Sequence, residues 1–252
     1  MNSAIRILLI VVLLLCVLIP GLAQGLYWKS MTTIMSKEMT NEYYYMPKMY
    51  KMVSDEGEIG IFRIDKKVFY EIDPAKHEYS EITFEEMDKM LQKAVDKLKA
   101  MSDEMKEQLK NLPEEQRKQM EKMLGGGGAE AVAVRNTGER NTIAGYACTK
   151  FVIQQGENEV ATIWATAALR EFEAMGKDYE EFSKRMMGLN PRLGALAEGM
   201  MKVKGFPMET EIGKEMKTTV IKVEKRNVGA SEFAVPAGYK KVKSKIEKGL
   251  EG

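Results

Sequence analysis

The sequence predicts an α+β protein: one antiparallel sheet with two helical insertions that cover one of its faces. Alternating polar and apolar segments, divided by Gly, Asp and Pro turns, fill residues 26–83 and return after residue 128, a pattern typical of antiparallel strands. Apolar residues recur at steps of three and four over residues 84–124 and again over 167–202, which is typical of amphipathic helices. Because the helices are gathered between runs of strands, we expect one layer of helices on a single sheet.

The N-terminal segment, residues 1–23, has the features of a secretory signal. Arg6 precedes an apolar run over residues 7–19, Pro20 ends that run, and small residues stand at the first and third positions before a cut after Ala23. We therefore expect an exported, periplasmic protein of the cell envelope in which no membrane span remains after cleavage. An uncleaved anchor is the alternative, although the apolar run is shorter than the roughly 20 residues that a spanning helix needs.

The charge balance and the cysteines restrict the class of protein further. The chain has 38 Lys and Arg residues against 37 Asp and Glu residues, and Arg6 is the one charged residue that cleavage removes, so the exported chain has a formal net charge of zero. A neutral chain argues against a nucleic-acid partner, since such binding depends on a basic surface. Cys148 is the one cysteine after residue 23, so packing rather than an internal disulfide must stabilise the fold.

The first run of strands lies between residues 26 and 83. Its alternating segments are YWKSMTTIM (27–35), EIGIFRI (58–64), KVFYEI (67–72) and HEYSEI (77–82). The stretch YYYMPKMYKM (43–52) is interpreted as one further strand with an irregularity at Pro47, because proline interrupts the hydrogen bonding of a strand. Together these segments predict an antiparallel meander.

The first helical insertion begins with a cap that the sequence makes visible. Thr83 and Glu86 have the spacing of a capping box, and Glu85 and Lys89 stand four apart, as in a favourable ion pair on a helix. The apolar stripe that follows consists of Phe84, Met87, Leu91, Ala94, Leu98 and Met101. Four glycines at 125–128 end the insertion and predict a flexible connector, since glycine has no side chain to pack and loses much entropy on ordering.

Strands return after the glycines and again after the second insertion. The segments are AEAVAVRNTG (129–138), TIAGYACTKFVIQQ (142–155), EVATIWAT (159–166), GFPMETEI (205–212), KTTVIKVEK (217–225) and SEFAVPAGY (231–239). Within the second insertion, Asn190 and Pro191 predict the cap and first turn of a helix. No sequence repeat divides the chain, so we expect residues 24–240 to form one domain and the lysine-rich residues 241–252 to form a flexible tail.

Few side chains are suited to catalysis. His77 is the only histidine, which excludes a zinc site built on two or more histidines. It is also the only histidine for a serine triad, and no Gly-x-Ser-x-Gly motif accompanies it. Cys148 and His77 could in principle form a nucleophile pair, but nothing in the sequence brings them together. We therefore expect neither enzyme activity nor a cofactor.

Methionine is the outlier in the composition, with 20 residues. Met46, Met49 and Met52 stand three apart, and thioether sulfurs are soft ligands suited to Cu(I). A Cu(I)- or Ag(I)-binding site on these three residues is therefore one functional alternative. On a strand, however, residues three apart face opposite sides, and methionine also serves as an adaptable apolar side chain in cores and at varied binding surfaces.

Several motifs carry a resemblance to a known family. TIAGYACTKF, ATIWAT, GFPMET and SEFAVPAGYKK, with DPAKHEYSEI upstream, resemble an uncharacterised family of exported bacterial proteins that is similar to the lipoprotein carriers of the LolA and LppX type. The matching positions are Gly145, Tyr146, Cys148, Trp164, Gly205, Phe206, Pro207, Phe233, Pro236, Gly238 and Tyr239. The resemblance implies a strongly curved antiparallel sheet, an open half-barrel, whose concave face is plugged by helices. It also implies that lipid or acylated protein is carried between sheet and helices.

The preferred hypothesis is a non-catalytic periplasmic protein that binds a hydrophobic ligand such as a lipid, an acyl chain or a lipoprotein. An interior rich in aromatic and methionine side chains beneath amphipathic helices would suit such a ligand. The expected lining residues are Tyr44, Met46, Met52, Phe62, Met87, Leu91, Trp164, Phe172 and Phe182. A closed core without a cavity, and an envelope protein–protein interaction module that docks through residues 84–124, are the remaining alternatives.

Overall fold

One large sheet dominates the structure. The computed structural model describes residues 24–93, 96–97, 100, 131–169, 175–178, 180, 191–213 and 215–244. Of the described residues, 57% lie in strands and 18% in helices, and the strands form one 12-stranded mixed sheet that does not close into a barrel. The predicted α+β class, an antiparallel half-barrel with two helical insertions covering one face, is therefore wrong, and the protein is mostly β.

The strands range from two to twelve residues and are joined mainly by short turns. Their bounds are β1 Gln24–Ile34, β2 Lys37–Met46, β3 Met49–Val53, β4 Ile59–Arg63, β5 Val68–Asp73, β6 Glu78–Thr83, β7 Val132–Ile143, β8 Tyr146–Gln155, β9 Asn158–Thr166, β10 Phe206–Ile212, β11 Met216–Asn227 and β12 Lys240–Lys241. Helix α1 is described over residues 84–93, helix α2 is Pro191–Lys202, and a 3₁₀ helix covers Ala230–Phe233. Residues 175–178 are also helical.

The sheet consists of two meanders, the first formed by β1–β6 and the second by β7–β11, which are joined where β1 pairs with β11. Its order is β12-β6-β5-β4-β3-β2-β1-β11-β10-β9-β8-β7. Strands β1 and β11 pair antiparallel along their whole lengths, from Gln24 opposite Asn227 to Ile34 opposite Met216, with a bulge between Lys29 and Ser30. This pairing merges both meanders into one layer, and β12 adds a parallel edge next to β6. Periodicity identifies strands but does not show how many of them share a sheet, and for this reason the predicted class was wrong.

The stretch YYYMPKMYKM is a hairpin and not the single strand that its sequence predicted. Met46 pairs with Met49 as the last pair of β2 and β3, and Pro47 and Lys48 form the turn between them. Lys48 has a φ of 63°. Proline followed by a residue with positive φ is the arrangement of a type II turn. Glycine or asparagine usually occupies such a position, and lysine is uncommon there. The sequence therefore contains no indication of this turn.

The predicted cap of the first helical insertion is confirmed. The Glu86 amide donates to Thr83 Oγ1 at 3.1 Å, and the Thr83 amide donates to Glu86 Oε2 at 2.8 Å. The predicted ion pair is also present, with Lys89 Nζ 2.7 Å from Glu85 Oε1. These side chains satisfy amides that a helix start leaves without partners, so α1 begins directly at the end of β6.

Helix α2 packs closely on β7 and β8. A Cβ added at Gly199 would lie 2.5 Å from Ile153 Cγ2, so glycine is needed for the helix to approach the sheet this closely. Leu196 and Met200 pack beside it against the buried residues Ile153 and Ile163. The helix therefore covers one end of one face of the sheet.

One face of the first meander is covered by the C-terminal segment, residues 228–244, which we call the C-terminal strap. Phe233 is fully buried in one cluster with Ile61, Ile72 and Val228. Arg63 donates to the Phe233 carbonyl oxygen at 3.2 Å. The predicted strand SEFAVPAGY is therefore wrong, because this segment packs on a sheet face as a 3₁₀ helix and loop instead of joining the sheet.

The strap ends in regular structure. Lys240 donates its amide to the His77 carbonyl at 2.9 Å, and Val242 donates to the Tyr79 carbonyl at 2.8 Å, so β12 extends the sheet beyond β6. Ser244 is buried. Residues 240–242 are thus bound to the sheet, although the sequence predicts a flexible tail from residue 241 onward.

Some predictions fall on residues outside the described part of the chain. These are the signal segment 1–23, the helical stripe at Ala94, Leu98 and Met101, the glycines 125–128, Phe172, Phe182 and residues 245–252. Among the helices that the structure describes, none is long and apolar enough to cross a membrane.

Candidate ligand-binding site

Five aromatic side chains form a continuous row across strands β1 to β5. Trp28 stacks on Tyr43 with ring centroids 5.0 Å apart, and Tyr43 lies 6.1 Å from Tyr50. Tyr50 lies 6.3 Å from Phe62, and Phe62 stacks on Phe69 at 4.2 Å. We call this set the aromatic row. These separations fall in the range of favourable ring–ring contacts, so the five side chains support one another.

The strand register places the aromatic row on one face of the sheet. Trp28 is the cross-strand partner of Tyr43, Tyr50 is the partner of Phe62, and Phe62 is the partner of Phe69. Partners in an antiparallel pair point to the same side. We call this side the row face and the opposite side, which the C-terminal strap covers, the strap face.

The aromatic row is buried at Trp28 and partly accessible at its other four rings. Trp28 is 7% exposed, whereas Tyr43, Tyr50, Phe62 and Phe69 are half-buried. Crossing five strands takes four steps of about 4.8 Å, which gives a row about 19 Å long. A surface of this shape presents contiguous apolar area to a long, narrow, apolar ligand.

The Asp178 carboxylate attaches the helical residues 175–178 to the hairpin of β2 and β3, next to the row. The Tyr45 hydroxyl donates to Asp178 Oδ2 at 2.9 Å, and the Lys48 amide donates to the same oxygen at 2.6 Å. Burial, with the hydrogen bond to the Asp178 carboxylate, raises the pKa of Tyr45 above its ordinary value. The hydroxyl therefore stays protonated and keeps donating at physiological pH.

The row face becomes polar next to Trp28. Ser30 follows two residues later on β1, and Asn41 is its partner on β2. Beyond them, Thr32 Oγ1 lies 3.0 Å from Thr218 Oγ1. Ser30 is 1% exposed, and within the described part of the chain its Oγ has no hydrogen-bond partner.

The structure places only part of the predicted lining on this face. Phe62 belongs to the aromatic row, and Met52, which is 37% exposed, is the cross-strand partner of Tyr43. Met87 is buried and Leu91 is half-buried in α1. Trp164 packs partly buried against the core cluster that contains Trp28, with Lys150 Nζ 5.8 Å from its ring centroid. It lies on β9, three strands from β1 on the side away from β2, and so outside the row.

Tyr44 and Met46 lie on the strap face, contrary to their predicted role as lining. Both pack against the cluster that contains Phe233. The Tyr44 hydroxyl donates to Glu42 Oε2 at 3.2 Å, and the Arg226 guanidinium carbon lies 5.7 Å from the Tyr44 ring centroid. Burial, together with the Glu42 carboxylate, raises the pKa of Tyr44 to about 12.

Four members of the aromatic row were absent from the predicted lining: Trp28, Tyr43, Tyr50 and Phe69. Alternation alone places Tyr43 and Tyr45 on one face of β2. It does not show that Tyr50, on the far side of the turn, faces the same way. Recognition of the turn at Pro47 and Lys48 would have supplied the register and with it the row.

The geometry does not favour the alternative copper site. Met46 and Met49 are cross-strand partners on the strap face, while Met52 is the partner of Tyr43 on the row face. Three sulfurs on two faces of a sheet do not converge on one ion. Over the described ranges, no cluster of three or more His, Cys, Asp or Glu residues is placed to hold a metal.

The conceivable Cys148 and His77 pair is not formed. Cys148 lies on β8 and His77 in the turn before β6, and eight strands separate β8 from β6 in the sheet order. Cys148 is 1% exposed, and burial raises the pKa of its thiol. The His77 ring lies 5.3 Å from the ring of Tyr239 in the strap.

Comparison with solved structures finds matches over most of this chain, all at low sequence identity and with TM-scores below 0.5. An uncharacterized conserved protein from Thermus thermophilus has 8% identity and a TM-score of 0.46, over 88% of this chain and 91% of that one. PNGF-II has 9% identity and a TM-score of 0.40, over 91% of this chain and 32% of that one. MucB has 7% identity and a TM-score of 0.40, over 87% of this chain and 62% of that one.

Comparison at the level of sequence identifies the family. No curated protein matches the chain. The solved structures above do not establish the resemblance to the LolA and LppX carriers. Residues 107–239, more than half of the chain, match the family described as "Domain of unknown function (DUF4412)". The chain therefore belongs to the DUF4412 family.

Proposed function

We propose that this chain is a non-catalytic binding protein of the cell envelope, and that it holds a lipid or another ligand with a long acyl chain along the aromatic row. The observation that carries the proposal is the row itself: four half-buried rings in continuous contact on one face of the sheet. Apolar area that stays accessible along a row of rings is a common feature of ligand-binding grooves.

The two faces of the first meander differ in a way that supports this assignment. On the strap face, Phe233 and Val228 bury Ile61 and Ile72, so that side is already used for folding. On the row face, Tyr43 and Tyr50 pack against the core cluster that contains Trp28, yet they and Phe69 keep part of their surface accessible. An acyl chain laid across these rings would bury apolar area at about 25 cal/mol per Å².

The envelope location rests on the N-terminal sequence. A basic residue, an apolar run and small residues before Ala23 are the pattern of an exported protein. The short motifs that resemble an uncharacterised exported family, itself similar to carriers of the LolA and LppX type, support the same compartment and the same class of ligand. A Cu(I)-binding function has no comparable support, since Met46 and Met52 lie on opposite faces.

Titration with a fluorescent polyene fatty acid and its methyl ester tests the proposal. Phe69 and Tyr70 are adjacent on β5 and point to opposite faces, and both are half-buried. We expect Phe69→Ala to weaken ligand binding about tenfold, which corresponds to about 1.4 kcal/mol of lost apolar contact. The matched control Tyr70→Ala, on the strap face, should leave the affinity within about twofold.

Two results would remove the proposal. One is the absence of saturable binding of either probe by the purified protein, with no lipid extracted from protein isolated from the envelope. The other is equal loss of affinity in Phe69→Ala and Tyr70→Ala, because a ligand on the row face contacts the first side chain and not the second.

A further inference from the structure

We infer that the Ser30 hydroxyl is the polar anchor of this site and that it hydrogen-bonds the ester or amide carbonyl of an acyl ligand whose chain lies along the aromatic row. The inference rests on the proposed function and adds the position and chemistry of the ligand's head group. Ser30 lies on the same face as Trp28, two residues further along β1, and is therefore next to the first ring of the row.

The Ser30 hydroxyl is an anomaly among the polar groups of this face. It is 1% exposed, and no described residue satisfies its Oγ. Leaving a buried hydroxyl without a hydrogen bond is unfavourable, and such groups in folded proteins call for an explanation. Thr32, the next residue on the same face, is 6% exposed and shares a 3.0 Å hydrogen bond with Thr218.

The surroundings of Ser30 define the chemistry of the group it would bind. Its cross-strand neighbours are Asn41 on β2 and Val220 on β11, neither of which carries a charge. Burying an ionised carboxylate there would be costly without a cation. A neutral carbonyl oxygen can accept a hydrogen bond from the Ser30 hydroxyl, and the Asn41 amide can supply a second donor.

The test compares two apolar fluorescent probes, of which only the first has a carbonyl group: a polyene fatty-acid methyl ester and diphenylhexatriene, a hydrocarbon. We expect Ser30→Ala to weaken ester binding about tenfold, as loss of one hydrogen bond predicts, and to leave hydrocarbon binding unchanged. The Tm of the ligand-free variant should equal or exceed that of the wild type, because alanine removes an unsatisfied hydroxyl.

Thr32→Val is the matched control. It removes a hydroxyl that is already bonded to Thr218, so it should lower the Tm and leave the ratio of ester to hydrocarbon affinity unchanged. The anchor role is overturned if Ser30→Ala weakens both probes equally or neither, or if it lowers the Tm of the ligand-free protein. Failure of the wild type to bind either probe would instead remove the proposed function, and the anchor role with it.

Discussion

The Tyr45 hydroxyl donates a 2.9 Å hydrogen bond to Asp178 Oδ2, and this contact joins the β2–β3 hairpin to the helical residues 175–178. The same oxygen accepts the Lys48 amide at the turn. We expect Asp178→Ala to lower the free energy of unfolding by about 2 kcal/mol, since hydrogen bonds to a charged group contribute about 1.5–3 kcal/mol. Tyr45→Phe should cost less, because the Lys48 bond remains.

Urea unfolding measures both variants. Lys177→Ala provides the control, because Lys177 is exposed beside Asp178 on the same helical residues and should change stability by less than about 0.5 kcal/mol. If Asp178→Ala were as stable as this control, the carboxylate would not hold the hairpin in solution.

The contact between Gly199 and Ile153 makes a second prediction. A Cβ at position 199 would lie 2.5 Å from Ile153 Cγ2, so Gly199→Ala should destabilise the protein by about 1–3 kcal/mol despite its better helix propensity. Gly176→Ala, also in a helical segment but with nothing within 4 Å of the added carbon, should be neutral or slightly stabilising.

A double-mutant cycle checks the cause. Combined with Ile153→Ala, Gly199→Ala should cost less than it does alone, because the clashing side chain has been removed. Strict additivity of the two substitutions, measured by thermal unfolding, would show that the helix does not approach the sheet at Ile153.

The capping box makes stability depend on acid pH. Hydrogen bonds from Thr83 lower the pKa of Glu86, so the folded state favours the carboxylate. The stabilisation is present above the ordinary glutamate pKa of about 4.3 and is lost as the pH falls through the lower folded value. Glu86→Gln should therefore cost about 0.3–1 kcal/mol at neutral pH, and the difference from wild type should vanish in acid.

The measurement is a series of urea unfolding curves from neutral to acid pH. Glu157→Gln, in the exposed turn between β8 and β9, should follow the wild type throughout. A Glu86→Gln deficit that persists unchanged in acid would mean that its charge is not the source of the stabilisation.

Tyr44 gives the corresponding prediction in alkali. Burial, with the neighbouring Glu42 carboxylate, raises its pKa to about 12, whereas an unfolded tyrosine titrates near about 10. The folded state therefore holds this proton more tightly, and its stabilising effect is lost as the pH rises from the unfolded value through the folded one. The phenolate absorbance of wild type minus that of Tyr44→Phe should show a single transition near pH 12; a transition near about 10 would contradict it.

Local patterns in the sequence predicted local structure well. Alternation identified β1, β4, β5, β6, β9 and β11, and the spacing of Thr83 and Glu86 identified the start of α1. These features depend on residues close together in the chain. The SEFAVPAGY segment alternates like a strand, but Phe233 packs on a sheet face instead. The pattern is ambiguous because a segment that lies on a sheet face also needs apolar side chains at intervals.

The candidate site depended on information that local patterns lack. The row requires Tyr43 and Tyr50 to face the same way across a turn whose positive-φ residue is Lys48. Glycine or asparagine there would have indicated a turn, and lysine gave no such signal. The merging of two meanders through β1 and β11 pairs residues nearly the whole chain apart, which no local period encodes.

The most direct test of a ligand on the row face is quenching of Trp28 by a brominated fatty-acid ester, because bromine quenches tryptophan on contact. The chain has 2 tryptophans, so Trp164→Phe leaves Trp28 as the only emitter and Trp28→Phe leaves Trp164. We expect saturable quenching in the first variant and little in the second, since Trp28 begins the aromatic row, whereas Trp164 lies on β9, three strands from β1 in the direction away from the row. Bound ester that leaves Trp28 emission unchanged, or that quenches only Trp164, would contradict the account.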